Sequence, residues 1–330
     1  MSQLADSLKT MLNLKDIPAG PMPHRVKPML ATLVDKPFDK KDWLFEIKWD
    51  GYRAIAEIEK GKVKLYSRND LSFNELFASV VKDLEKLEHD AVLDGEVVIL
   101  DKQGRSRFQL IQNYAKTGEG NLVYYVFDIL YLDGHDLKRL PLTERRKYLD
   151  YIMPVGKDVK ISEAIKDKGI AFFERAQEHS LEGILAKDRT STYKPGVRGH
   201  NWLKIKTHQR QEAVIAGFTE PRGSRKHFGA LVLGVYEKGE LVYIGHTGGG
   251  FDEEKLDLVY KKMKPLMQKE PAFKNPPKTN MPVTWIKPKL VCEVSFSEWT
   301  DDGLMRQPIF VGMRLDKAAR NVHRELPKKI

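Results

Sequence analysis

The feature that most constrains this chain is the spacing of its apolar residues between Trp43 and Thr219. Short strand-like runs dominate, several carry charged residues inside them, and only a few stretches of helical period interrupt them. Trp43–Glu59 and Lys62–Arg68 predict a hairpin turning at Lys60-Gly61. AVLDGEVVIL, LVYYVFDILYL and GILAKD predict further strands. WLKIKTHQRQEAVIAGFTE starts in strict alternation and is read as continuing in strand. Helices are predicted over 74–88, where Leu76, Phe77, Val80, Val81, Leu84 and Leu87 recur at helical spacing, and over 143–152 and 170–179.

Before this region, residues 1–28 read as a leader or linker ending in PAGPMPHRVKP, whose prolines oppose regular structure, with a short helix predicted over 7–15. Near Thr207 a second region begins. VIAGFTE, ALVLGVYE, ELVYIGHTG and VCEVSFSEWT are short strands, and DEEKLDLVYKKMKPLMQ is one helical stretch among them. Several short strands with a single helix suggest a small barrel such as an OB-fold.

Lys and Arg number 56 against 46 Asp and Glu, a formal net charge of +10. Such a balance attracts polyanions, nucleic acid among them, although a solvated basic surface has the same composition. One cysteine, Cys292, excludes an internal disulfide and a cysteine-based zinc site, and is in keeping with a reducing cytosol. No secretory h-region and no apolar run of about 18 residues is present, so no membrane partner is expected.

In Glu46-Ile47-Lys48-Trp49-Asp50-Gly51-Tyr52-Arg53, an extended strand would put Glu46, Lys48 and Asp50 on one face. The string fits an exposed, salt-bridged edge as well as a site. A lysine acts as a covalent nucleophile only when neutral, and at pH 7 neutralising one costs about 4.6 kcal/mol from the reference pKa. Nearby cations or a bound metal lower that cost. Lys204 and Lys206 alternate with Leu203 and Ile205, so they share a strand face, as they would at an anion site or on a solvated edge. Asp94-Gly95-Glu96 and Glu182 through Lys187 set carboxylates in apolar runs, as turn residues or as oxygen ligands for Mg²⁺.

Lys48-Trp49-Asp50-Gly51, Ser67-Arg68-Asn69, Asp94-Gly95-Glu96, Tyr125-Val126-Phe127-Asp128, Glu182-Gly183-Ile184-Leu185-Ala186-Lys187 and Trp202-Leu203-Lys204-Ile205-Lys206 follow one another in that order. Together they resemble the covalent nucleotidyltransferase superfamily of ATP-dependent DNA ligases, RNA ligases and mRNA capping enzymes, from about Lys27 to Glu325. PMLATL, Tyr193-Lys194-Pro195-Gly196 with Arg198, and Gln307-Pro308-Ile309-Phe310 leading to Arg314-Leu315-Asp316-Lys317 resemble the ligase part of bacterial ligase D. The resemblance implies an α+β fold. A nucleotidyltransferase (adenylation) domain of antiparallel sheets with helices is expected over 29–206, and an all-β OB-fold barrel domain over 207–330.

It also implies roles. Lys48 takes AMP from ATP, with Asp50 beside it. Glu46 reads the adenine amino group, and Phe127 stacks on the base. Arg53 and Glu96 lie by the ribose, and Arg68 near the nucleotide and the DNA end. Glu182, with Glu96 or Asp50, places Mg²⁺ or Mn²⁺. Lys187, Lys204 and Lys206 complete the nucleotide site, the last two on the AMP phosphate. Arg314, Asp316 and Lys317 orient the pyrophosphate. Arg68, Arg198 and the basic loop of Arg222, Arg225 and Lys226 are expected on DNA, although that loop also suits a solvated turn. A hinge is expected at 206–211. The implied partners are nicked double-stranded DNA, Ku, and the polymerase and phosphoesterase modules of end joining, for which this chain has no room. A monomer in the bacterial cytosol, at the nucleoid, is expected. RNA ligation or capping, and non-catalytic nucleic-acid binding, are the alternatives.

Overall fold

The protein, described by a computed structural model for residue 14 and residues 17–153 and 156–328, divides into two compact units: 1–207 with 327–330, and 208–326. The helix predicted over 7–15 lies outside the described residues except for Leu14.

The first unit contains two sheets. One has the strand order Leu30–Leu33, Arg198–Lys206, Gly183–Asp188, Trp43–Ile47, Ala164–Lys166, antiparallel except for its first pair. The other runs Lys62–Ser67, Tyr52–Glu59, Ala91–Leu100, Asn121–Leu132, His135–Asp136, with Val159–Ile161 parallel to Asn121–Leu132. The sheets meet through buried side chains such as Phe127, Tyr193 and Trp202. The predicted hairpin turns at Lys60 (φ 51°) and Gly61 (φ 73°), the doubly positive geometry that matches strand twist.

Helices form at Leu142–Ile152 and Gly169–Glu178, within a residue of the predicted bounds. The helix predicted over 74–88 is shorter, Ala78–Leu84. Asn74 is the cause: its side-chain oxygen accepts from Leu65 N–H at 2.8 Å and its amide donates to Val63 O at 2.7 Å, so it extends the strand edge instead. A helix at Phe108–Thr117 was not anticipated. Of its residues only Phe108 and Ile111 are buried, too few for a clear apolar stripe. Its ends are set from elsewhere: Asp50 accepts from Phe108 N–H at 3.1 Å, and Gly118 closes it in the left-handed conformation at φ 71°. The linker reading of residues 1–28 meets a finding at 24–26. Buried Glu57 accepts from Arg25 N–H at 2.6 Å and pairs with His24 at 3.0 Å, tying the segment to the sheet.

The continuous strand read after Trp202 breaks at 207–209. Arg198–Lys206 belongs to the first unit and Arg210–Thr219 to the second. In the second unit the order is Glu240–Thr247, Leu231–Glu237, Arg210–Thr219, Val283–Ser295, Ile309–Met313. A parallel bridge from Gly249 to Ile309, with Phe310 N–H donating to Gly249 O at 3.0 Å, joins the last strand to the first and closes the barrel. These five strands form the OB-fold barrel, and a short sixth, Met267–Gln268, pairs with Val283–Ser295. Its helix, Glu253–Met263, starts where Asp252 accepts from Lys255 N–H at 2.8 Å and carries Glu253 and Glu254 in its first turn and Lys261 and Lys262 in its last, as the macrodipole favours. Among the described residues, no helix is long and apolar enough to cross a membrane.

Candidate active site

Strand register assembles the site. Glu46, Leu185 and Lys204 lie directly across from one another on three neighbouring strands. One step along, Lys48 N–H donates to Gly183 O at 3.0 Å, and Gly183 opposes Lys206. Opposed residues of antiparallel strands share a face, so Glu46, Lys48, Lys204 and Lys206 face the same way. Gly183 sits in the middle of this group for a steric reason: at φ 151°, a Cβ would fall 2.1 Å from Ile205 O.

Lys48 Nζ lies 2.5 Å from Glu182 Oε1, with the lysine 19% and the glutamate 7% exposed. A carboxylate oxygen of Asp50 lies within 4.8 Å of one of Glu182. Two carboxylates at that spacing suit an oxygen-loving divalent cation that keeps several waters. Asp50 also accepts from Phe108 N–H, so one helix end fixes its orientation. Glu96 is not in this pair; it stands opposite Arg53 and Tyr125.

Glu46 is fully buried. Its Oε1 accepts from Arg146 Nη1 at 2.7 Å and its Oε2 from Lys187 Nζ at 2.7 Å. Burial pushes the Lys187 ammonium below its ordinary pKa, and Glu46 pulls it back only in part. Lys187 Nζ lies 4.1 Å from the Phe127 ring centre and 4.3 Å from that of Trp202. Arg53 lies 4.6 Å from Phe127 and makes a two-point pair with Asp94 at 2.5 and 2.6 Å. Burial alone would lower the Arg53 pKa, but Asp94 holds it above its usual value. Tyr193 donates to the same Asp94 at 2.6 Å. Phe127 is thus buried against two cations, whereas Tyr125, two residues earlier, is half-buried and stacks on Trp49 at 3.8 Å and 5°. Arg68 is half-buried in the Ser67–Asp70 turn, and Arg198 is exposed, donating to Ala31 O.

The second unit has its own charged centre. Arg314 pairs through Nε and Nη2 with both oxygens of Asp316 at 2.8 Å, and through Nη1 with Glu293 at 3.0 Å. Glu212 lies beside it, paired with Lys317. Burial opposes the charge of Arg314, but Asp316 and Glu212 raise its pKa well above normal. In the basic loop Lys226 is exposed, and Arg222 and Arg225 line a cavity of about 300 Å³ with Thr219, Glu220, His246 and Asn280.

Sequence reasoning gave no role to Asp94, Tyr193 or Arg146. Asp94 stood in a quoted motif, and its place in an apolar run was the available signal. Arg146 had none: it is a helix residue 98 positions after Lys48, brought in by the tertiary fold.

A lysine paired with a carboxylate between two sheets, flanked by cations on one sheet face, together with a separate OB barrel, defines a covalent nucleotidyltransferase of the ligase type. The chain belongs to the ATP-dependent DNA ligase family: the family's ligase domain matches residues 28–206 and its C-terminal region matches 224–317. It is 39% identical over 317 residues to the multifunctional non-homologous end joining protein LigD of Pseudomonas aeruginosa, covering 93% of this chain and 37% of that protein. To the LigD of Mycolicibacterium smegmatis it is 38% identical over 308 residues, 91% of this chain and 40% of that one. It therefore spans about two fifths of these relatives. Among solved structures, mycobacterial DNA ligase D complexed with ATP and MES is similar at TM-score 0.68 and 33% identity, over 92% of this chain and all of that one.

Proposed function

We propose that this chain seals nicks in double-stranded DNA through a lysyl-AMP intermediate. Lys48 Nζ attacks the α-phosphorus of ATP; a P–N bond forms, the α–β P–O bond breaks and pyrophosphate leaves. The 5′-phosphate of the nick then attacks the same phosphorus and releases the lysine, giving an AMP-capped end. Finally the 3′-hydroxyl attacks the 5′-phosphorus, closes the strand and expels AMP. The supporting observation is the Lys48–Glu182 contact at 2.5 Å, beside the row that holds Glu46 and Lys204.

In this reading Lys204 and Lys206 neutralise the phosphate. Glu182 and Asp50 hold a divalent cation, which would supply further charge neutralisation in the transfer. Arg53 and Glu96 border the ribose, Glu46 and Phe127 the base. Arg314, Asp316 and Lys317 act on the pyrophosphate, and Arg68, Arg198, Arg222, Arg225 and Lys226 on DNA. Adenylation is carried by residues 29–206 and closure on DNA by the barrel of residues 208–326. The relatives' names support a place in bacterial non-homologous end joining. On that reading its partners are Ku, polymerase and phosphoesterase, in the cytosol at the nucleoid.

The test is incubation with labelled ATP, Mg²⁺ and a nicked duplex. Wild type should carry label on Lys48 and seal the nick, and Lys48→Ala should do neither. Label on another residue, or sealing by the variant, would reject the proposal.

A further inference from the structure

The base-reading carboxylate is surrounded in a way the motif reading does not explain. Glu46 is fully buried, yet each of its oxygens accepts from a different cation. Lys187 is sealed from solvent, whereas the Arg146 side chain keeps 14% of its exposure. Arg146 is itself fixed: its Nη2 donates to the backbone oxygen of Ser162 at 2.7 Å, and the Ser162 hydroxyl accepts from Trp49 Nε1 at 3.0 Å. A residue outside every motif is thereby linked both to the base-reading group and to the neighbour of Lys48.

The chemistry of the purine gives this arrangement a purpose. Adenine presents an amino donor at C6, and guanine presents a carbonyl acceptor there. An ionised carboxylate only accepts, at about four lone-pair positions, so Glu46 has acceptor capacity left after its two cations. A protonated carboxyl, in contrast, donates and would welcome guanine. We propose that Arg146 is a specificity-determining positioning residue: by binding Glu46 Oε1 it fixes the carboxylate so that its remaining lone pairs accept from an adenine amino group, and the pocket takes ATP and refuses GTP. The inference rests on the lysyl-AMP reading above.

Lys187 alone would hold the carboxylate less firmly. Lys187 binds only Oε2, so without Arg146 the carboxylate would keep one anchor instead of two. The other charges around the pair balance. Asp128 is matched by Arg145, Arg53 by Asp94, and Asp150 lies near Arg146 on its own helix. Lys204 stands in the same row as Glu46 across Leu185.

The experiment measures label on Lys48 from ATP and from GTP, each with Mg²⁺, for the full chain across pH 6–9. Wild type should strongly prefer ATP with no change of preference over that range. Arg146→Gln should raise KM for ATP more than it lowers kcat. It should reduce the ATP-over-GTP ratio at least tenfold. Arg146→Lys should restore most of the preference. Glu46→Gln, whose amide both donates and accepts, should show the relaxed preference at every pH, and adding Arg146→Gln to it should change little. Melting curves identify a variant that fails to fold, and Arg146→Lys and Glu46→Gln still decide the matter. An Arg146→Gln enzyme that forms the adduct with an unaltered ratio at all pH values would overturn the inference. Absence of any adduct in wild type would instead overturn the ligase reading.

Discussion

The two units each bury a charged centre, and the two centres have opposite polarity. In the first, a carboxylate is the hub: Glu46 is held by Arg146 and Lys187. In the second, a guanidinium is the hub: Arg314 is held by Asp316 and Glu293, with Glu212 beside it. A carboxylate hub with spare lone pairs is a receptor for a donor, such as an amino group. A guanidinium hub ringed by acids is a cation whose position and ionisation are fixed, suited to meeting an anion. Burial makes both costly to break, because removing one partner leaves the others desolvated and unmatched.

The comparison can be tested by taking each unit apart in turn. The largest effect is expected near the first hub. Glu182→Ala removes the carboxylate that touches Lys48 and would hold the divalent cation, and should slow lysyl-AMP formation by about 10²- to 10³-fold, the range for loss of a charge-stabilising group. A single-turnover assay within tenfold of wild type would detach Glu182 from the chemistry.

Arg314→Gln should come next. It leaves Asp316 and Glu293 without their principal cation and should cost the second unit about 3–5 kcal/mol, as breaking a buried pair does. Denaturant titration measures the loss. If Arg314 also acts on pyrophosphate, sealing of a nick already carrying AMP should suffer less than adduct formation. Equal losses in the two assays would separate it from that step.

A smaller effect distinguishes the units by pH. Burial, reinforced by Asp94, raises the phenol pKa values of Tyr124 and Tyr193 well above 10.0. The unfolded chain therefore releases protons near pH 10 that the folded chain keeps, and the stability these groups contribute, full below that pH, declines as pH rises through it. Both lie in the first unit, as does Tyr66, also raised by burial, so the larger alkaline loss should fall there, although burial raises the Cys292 thiol in the barrel too. Hydrogen exchange by region at rising pH would show it, and a larger loss of protection in the barrel would contradict it.

The smallest effect should come from the basic loop of the barrel. Arg222→Gln with Arg225→Gln should lower the slope of nick affinity against salt by about 0.9 per lost phosphate contact. An unchanged slope would return those arginines to a solvated turn.

Much of this protein was legible in one dimension. The alternation through Lys204 and Lys206, the hairpin at Lys60-Gly61 and the helix following Asp252 are local patterns, and local backbone preference is enough to produce them, whereas the strand read over Trp43–Glu59 breaks at 48–51 and resumes in the other sheet. The helix at Phe108–Thr117 and the shortened helix at Ala78–Leu84 were not legible, because the first begins where Asp50, 58 residues earlier, accepts from Phe108 N–H, and Asn74 bonds to the strand Lys62–Ser67 instead of starting a helix.

The same division holds at the site. Sequence by itself determined which residue types are present and in what order, and the order of six short motifs marked the family. Only the tertiary structure decided their partners: that Glu182 meets Lys48, that Asp94 ties Arg53 to Tyr193, and that Arg146 closes over Glu46. Strand periodicity is written in neighbouring residues, but a buried charge is satisfied by whichever opposite charge the packing brings within about 3 Å, however far away it lies in the chain.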